Sequence, residues 1–245
     1  MSKVSNGVIL YEGPSNLDGS SIICIATGLA KSSANSKTGN LIQTWIMPKD
    51  LNPLDAIKTL KDKSVCGDCK HRRGTGGACY VNVGQAPNNI WKTYIRGGYP
   101  KFSKDSLDLF KGKLIRFGAW GDPTAVPFKV WEPIKKVIKG STGYTHQWKN
   151  CDTEYQQICM ASVDNELEYQ EAYKNGWRTF RVKSPNEPLK KGEFTCPASE
   201  EAGKKLTCSQ CMACSGGNPP KGTVAINIHG VLKKRFTELT ILESV

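Results

Sequence analysis

Seven of the chain's ten cysteines fall in two groups, Cys66, Cys69 and Cys79, then Cys196, Cys208, Cys211 and Cys214. No hydrophobic pattern in the sequence constrains the fold as tightly. A CxxC pair lets two thiolates reach one centre from a tight turn, and zinc and iron–sulfur clusters are both held in this way. The second group reads C-P-x10-C-x2-C-x2-C and supplies a complete four-thiolate set. Pro197 and the CxxCxxC run resemble iron–sulfur ligation more than a zinc finger, whose ligands come as two separated pairs. The first group reads C-x2-C-x9-C and leaves one position to fill. His71, one of Cys24, Cys151 and Cys159, or an exogenous ligand could fill it. An open position is what separates a catalytic metal site from a structural one. Cys24, Cys151 and Cys159 taken singly read as core residues.

Metal binding is a stronger reading of these cysteines than a disulfide framework. Residues Met1 to Gly7 carry no apolar signal-peptide core, so the expected compartment is the reducing cytoplasm. No apolar run approaches the roughly 18 residues of a membrane span. At 245 residues, 38% of them hydrophobic, the chain is long enough to bury a full core. Its net charge of +12 favours an anionic partner, most simply nucleic acid. Each basic group, such as Lys70-His71-Arg72-Arg73 or Lys233-Lys234-Arg235, also fits a solvated surface. Tyr80, Trp91, Tyr94 and Tyr99, close to Arg96, would suit stacking on bases, although packing explains them equally well.

Short apolar runs bounded by Gly, Pro, Asn or Asp predict strands at 21–26, 43–47, 114–120, 144–148, 158–163, 179–182 and 223–228. Helices are expected between them. Asn52-Pro53 starts one, 103–111 forms another before Gly112, and Phe128 to Ile138 recurs at helical spacing around Pro133. Asn165 with Glu168 resembles a capping box, closed by Gly176. This alternation predicts an α/β fold with parallel strands. It suits a (β/α) barrel of the TIM type, complete or incomplete, or an open doubly wound sheet. The division expected is a barrel-like domain at 1–192, a cysteine-rich metal-binding extension at 193–222, and a last strand and C-terminal segment at 223–245. Neither GxGxxG nor a P-loop is present, which removes support from nucleotide-binding Rossmann and P-loop readings.

Ligands in such sheets bind at the carboxyl ends of the strands. Asp122, His146, Gln147, Lys149, Asn150 and Asp164 sit there and could face one pocket; Asp122 and His146 are the candidate catalytic pair. Turn formation or helix capping competes for Asp122 and Asp164, and a hydrogen-bonded core imidazole competes for His146. His229 after the last strand is placed similarly. No Ser-His-Asp order, HExxH or paired Glu motif supports hydrolase chemistry.

Four features together are familiar: the early cysteine loop, the strand ending Gly118-Ala119-Trp120-Gly121-Asp122-Pro123, the strand Tyr144-Thr145-His146-Gln147, and the CP…CxxCxxC tail. Ser33-Ala34-Asn35-Ser36-Lys37-Thr38-Gly39 belongs to the same set. The chain resembles uncharacterised, mostly phage-encoded cysteine-rich proteins that are themselves similar to the radical-SAM barrel superfamily. The resemblance implies an incomplete barrel with a [4Fe–4S] cluster on Cys66, Cys69 and Cys79 and S-adenosylmethionine at its open iron. Gly118, Gly121 and Asp122 would contact the methionyl end, and the other four cysteines would hold an auxiliary cluster. The superfamily spaces its cysteines CxxxCxxC, and this chain does not. Two expectations follow. One is an iron–sulfur, radical-SAM-like enzyme acting on a nucleotide or nucleic acid in a phage's bacterial host. The other is a zinc-stapled nucleic-acid-binding phage protein without chemistry of its own.

Overall fold

A computed structural model describes residues 5–31, 35–203, 206–217 and 222–236. Ser33 and Ala34 of the N-terminal motif lie outside them. The strands are β1 (Gly7–Pro14), β2 (Ser21–Thr27), β3 (Ile42–Pro48), β4 (Leu114–Trp120), β5 (Gly140–Thr145), β6 (Met160–Val163), β7 (Thr179–Lys183), β8 (Glu193–Thr195) and β9 (Thr223–Asn227). They form one nine-stranded sheet in the order β1-β2-β3-β4-β5-β6-β7-β9-β8. From β3 onward every pairing is parallel, whereas β1, β2 and β3 form an antiparallel meander. The strands follow chain order almost throughout, as in a barrel wall. The two ends, β1 and β8, are not paired with each other, so the wall is open among the described residues.

The helices are α1 (Pro53–Lys58), α2 (Lys63–Cys66), α3 (Ala86–Ile95), α4 (Phe128–Val137), α5 (Glu166–Lys174) and α6 (Cys208–Cys211). The expected caps are in place. Asn52 Oδ1 accepts from the amides of Leu54 and Asp55 at 3.0 Å, and Asn165 Oδ1 accepts from Glu168 N at 2.9 Å. Glu168 reaches Asp164 N at 2.9 Å rather than the cap's own amide, so the box is displaced by one residue. The segment expected at 103–111 is a tighter 3₁₀ turn, Lys104–Leu109. Pro133 stays inside α4.

One expected strand is corrected, β1 and β8 carried no expectation, and Trp91 and Tyr94 take the packing alternative. The strand placed at 144–148 runs from Gly140 to Thr145, because Gly140, Ser141, Thr142 and Gly143 pair in register with β4 despite lacking apolar side chains. The first strand was missed. Trp91 and Tyr94, read as base-stacking candidates, lie on α3 and pack with Tyr99 against the apolar residues of β2 and β3. The Trp91 indole donates to Lys49 O at 3.2 Å, and Tyr94 Oη donates to Glu12 Oε1 at 2.5 Å. Cys24 and Cys159 are fully buried in the main core and Cys151 packs against it, as read from the sequence.

Alternation along the parallel strands divides the two faces. Ile115, Phe117, Ala161 and Val163 point to the main core, where Trp131 of α4 packs edge-on to Phe117 at 5.2 Å and donates to Pro123 O at 3.0 Å. Tyr144, Met160, Phe180, Val182, Val224 and Ile226 line the other face, together with Cys196 and Cys214.

An ion pair holds the far edge. Arg181 of β7 reaches across β9 to Glu193 of β8, with Nε and Nη2 at 2.6 and 2.7 Å from the two carboxylate oxygens. Ala225, opposite Arg181 in register, leaves room for that reach. Burial pushes the Glu193 carboxyl up, but the Arg181 fork and the Lys190 amide outweigh it and hold it below the ordinary glutamate range. The pair therefore stabilises the fold above that range, and its contribution fades as pH falls through the lowered value. At pH 7, Glu193→Gln should cost about 3–5 kcal/mol in urea unfolding at matched metal loading. The gap to the unsubstituted chain should narrow below about pH 4; a pH-independent gap would contradict the linkage.

Candidate metal centres around one cavity

The first cysteine loop is organised around a buried ion pair. Asp62, just before α2, and Arg72 are nearly closed to water, with Arg72 Nη2 at 2.6 Å and Nε at 3.2 Å from the two Asp62 oxygens. Arg72 Nη2 also donates to Leu60 O at 2.8 Å. Cys66 ends α2, Cys69 follows on a turn with its amide 3.3 Å from Cys66 O, and the Cys79 amide donates to His71 O at 2.9 Å. These bonds bring Cys79 back beside the other two. The three thiols are near enough for each one's charge to act on its neighbours. Burial is the largest influence on all three and pushes them up. As bare thiols they are neutral; a bound cation reverses that balance.

The second group folds back onto the same sheet. Cys196 follows β8 and donates to Ala225 O at 2.7 Å. Cys208 opens α6 behind a Thr207–Gln210 capping box, its amide 2.9 Å from Lys37 O. The amide of Gly143 in β5 donates to Cys214 O at 3.3 Å. Burial is the largest influence on Cys196, Cys208 and Cys214, and the Cys214 thiol is pushed up to about 12 against the opposing hydrogen bond of Tyr144. Cys196, Cys208 and Cys211 all act on Cys214 electrostatically, so the four converge. The tail expected as a separate extension at 193–222 thus contributes β8 and a wall of the main cavity.

That cavity, of about 270 Å³, is lined by all seven of these cysteines and by the ends of the parallel strands. Arg116 of β4 lies between the groups. Its guanidinium donates to the Tyr80 hydroxyl, while its Nε has no hydrogen-bond partner among the described residues. Burial works against its charge, but Tyr80, Tyr144 and Cys208 more than compensate. Tyr80 also packs on His229 at 4.9 Å, and Lys37 Nζ lies 2.9 Å from His229 Nε2.

The GAWGDP turn faces this space through its backbone. Gly118 and Gly121 have φ of +69° and +85°, and a Cβ would stand 2.6 Å from Gly121 O in the first and 2.5 Å from Ile46 O in the second. Asp122 is fully occupied. Oδ1 accepts from the Thr124 amide at 3.0 Å and hydroxyl at 2.8 Å; Oδ2 accepts from Thr145 Oγ1 and His146 N, each at 3.0 Å. Burial raises its carboxyl despite those donors. Its geometry is that of a strut holding the strand ends, in line with the turn-forming alternative read from the sequence.

His146 stands in the cavity with two unexpected neighbours. Asp164 Oδ1 lies 3.3 Å from His71 Nε2, and Oδ2 lies 4.0 Å from His146 Nε2. The two rings meet edge to face at 5.5 Å, and Phe236 stacks on His71 at 5.7 Å. Burial pulls His146 down to about 4, so its imidazole is neutral near pH 7. For Asp164, burial pushes upward, but the hydrogen bond from His71 and the charges of His146, His71 and Lys70 hold it below the usual range. Gln147 and Asn150 line a separate polar hollow with Asn16 and Asp152, and Lys149 pairs with Glu168 at 3.1 Å. The six polar residues expected in one pocket therefore divide. Asp122, His146 and Asp164 line the cavity, and Gln147, Lys149 and Asn150 do not.

Sequence reading missed Arg116, whose signal is a charge between two buried apolar neighbours in a strand. It also missed that His71 and Asp164 meet His146, which adjacency along the chain does not reveal. No protein-family model, curated protein or solved structure matches this chain.

Replacing Asp122 by Asn exchanges an acceptor for an amide facing donors. We expect a loss of about 2–3 kcal/mol in urea unfolding. Wild-type stability in that variant would show that the four hydrogen bonds do not hold the strand ends.

Proposed function

We propose that the chain is an iron–sulfur protein with two cluster sites on one cavity, a radical-SAM-like enzyme acting on an anionic substrate of the nucleotide class. The carrying observation is that two cysteine sets, far apart in sequence, line the same cavity. The C-P-x10-C-x2-C-x2-C spacing of the second set supports clusters over zinc, whose ligands come as two separated pairs.

The donor set fits. Cys66, Cys69 and Cys79 would hold the cluster that keeps an open iron, and Cys196, Cys208, Cys211 and Cys214 a closed one. When bound and reduced, the first supplies the electron that opens S-adenosylmethionine. The chain's own residues account for the rest. Arg116 offers a charged donor with one nitrogen unused, suited to a carboxylate or phosphate. Gly118 and Gly121 let the turn fold tightly against Pro123 and β3 while its residues line the cavity. Tyr144, Phe180, Val182 and Ile226 give the cavity an apolar wall that excludes water.

Anaerobic reconstitution with iron and sulfide should give a brown protein with about eight irons per chain, absorbing near 400 nm. Cys66→Ala should lose about half of that iron, and Cys211→Ala the other half. With S-adenosylmethionine and a strong reductant, 5′-deoxyadenosine should form and should vanish in Cys66→Ala. A colourless protein holding two zinc ions would replace this reading with a zinc-stapled one.

A further inference from the structure

We propose that His71, His146 and Asp164 form a third metal site, separate from both cysteine sets, that takes a single divalent transition-metal ion such as Zn²⁺ or Fe²⁺. Two imidazoles and one carboxylate are a complete protein contribution to an ion that keeps open positions for water or substrate. Ligands at about 2.1 Å from a tetrahedral ion stand roughly 3.4 Å apart. The 3.3 Å from His71 Nε2 to Asp164 Oδ1 matches that spacing; His146 Nε2 lies 4.0 Å from Oδ2, and one ligand atom from each residue falls within 4.8 Å of the others. The residues come from three elements, the first cysteine loop, the end of β5 and the end of β6. Those elements are fixed independently, by the Arg72–Asp62 pair, the Asp122 knot and the β5–β6 ladder.

A surface cluster would be solvated and weak. Here His71 is 9% exposed, Phe236 covers it, and all three residues line the cavity, so the open positions face whatever binds there. The competing account is an ion pair completed by Lys70, whose Nζ lies 3.5 Å from Asp164 Oδ2. Lys70 reaches Oδ2, the oxygen that also faces His146, from a more exposed position, so an ion held through Oδ1 leaves that contact in place. Nitrogen and oxygen donors also distinguish this site from the thiolate sets chemically. The inference stands whether the cysteines hold iron–sulfur clusters or zinc.

The test uses the full chain with its cysteine sites already filled, anaerobically, by iron and sulfide, or by zinc if reconstitution fails. One equivalent of Zn²⁺ (of ⁶⁷Zn or ⁶⁸Zn if the cysteines carry zinc) is then added and the sample desalted. We expect one further ion per chain. In the iron-loaded protein its zinc K-edge absorption should show nitrogen and oxygen neighbours near about 2.0–2.1 Å and no sulfur near about 2.3 Å. His146→Ala and Asp164→Asn should each weaken binding of that ion by more than about tenfold, since losing a ligand costs more than losing its supporting hydrogen bond. The metal held by cysteine should be unchanged in both. Lys70→Ala should retain the ion. Asp164→Asn keeps the side chain's shape, so it guards against simple misfolding, which circular dichroism checks. No additional zinc, sulfur in its shell, or equal uptake by both variants would overturn the proposal. Loss of the cysteine-held metal alone would sink the cluster reading and leave this one standing.

Discussion

Asp122 is the point where the structure's separate parts are joined. Its amide donates to Val65 O in the helix that presents Cys66, at 2.6 Å. Its carboxylate collects the start of the following turn through Thr124 and the end of β5 through Thr145 and His146. One buried residue therefore fixes the first cysteine helix, the exit of β4 and the exit of β5 relative to each other. The four bonds to its carboxylate are shielded from water, where a hydrogen bond to an ionised group contributes more than a neutral one. The same burial raises the carboxyl, so the knot holds best because its donors are all present together. The glycines on either side of Trp120 are the condition for it, since a side chain at Gly121 would collide with β3.

Around that knot the molecule buries an unusual quantity of chemistry. Ordinary cores exclude thiol clusters and charged side chains unless each has a partner. Here Arg72 has Asp62, Arg181 has Glu193, and Asp164 has His71 and Lys70. The thiols have one another, which is no compensation at all if they ionise. Seven of them line one cavity, where a bound cation would reverse that balance. The formal net charge of +12 counts none of those thiolates, and filling the sites would lower it.

Much of this was legible in the sequence, and the failures share a cause. Leu114–Trp120 reads directly as a strand because it is apolar, β-branched in part and stopped by Gly-Asp-Pro. The caps at Asn52 and Asn165 read because capping is local chemistry. β5 was misplaced since Gly-Ser-Thr-Gly has no apolar pattern; its strand character comes from pairing with β4, which no local window contains. β1 was missed for a similar reason, being an edge strand with half its residues polar and a bulge between Ile9 and Tyr11. The cysteine spacing sets out two groups but not that they face one cavity. The meeting of His71, His146 and Asp164 depends on three loop ends arriving together, and spacing along the chain carries no trace of it.

Arg116 follows from the same electrostatics. Were both cysteine groups ionised, they would repel each other across the cavity they share, most strongly where water is scarce. A fixed cation between them lowers that cost, and β4 runs between the two groups. Arg116 lies there, with the phenol of Tyr80 on one side and Cys208 acting on it from the other. Its neighbours Ile115 and Phe117 face the opposite core, so the strand keeps its packing while presenting the charge. A lysine could supply the charge but not the flat fork that reaches Tyr80 and leaves Nε free for a ligand. The arginine that looks out of place in this strand thus brings a fixed positive charge to a cavity lined by both cysteine groups.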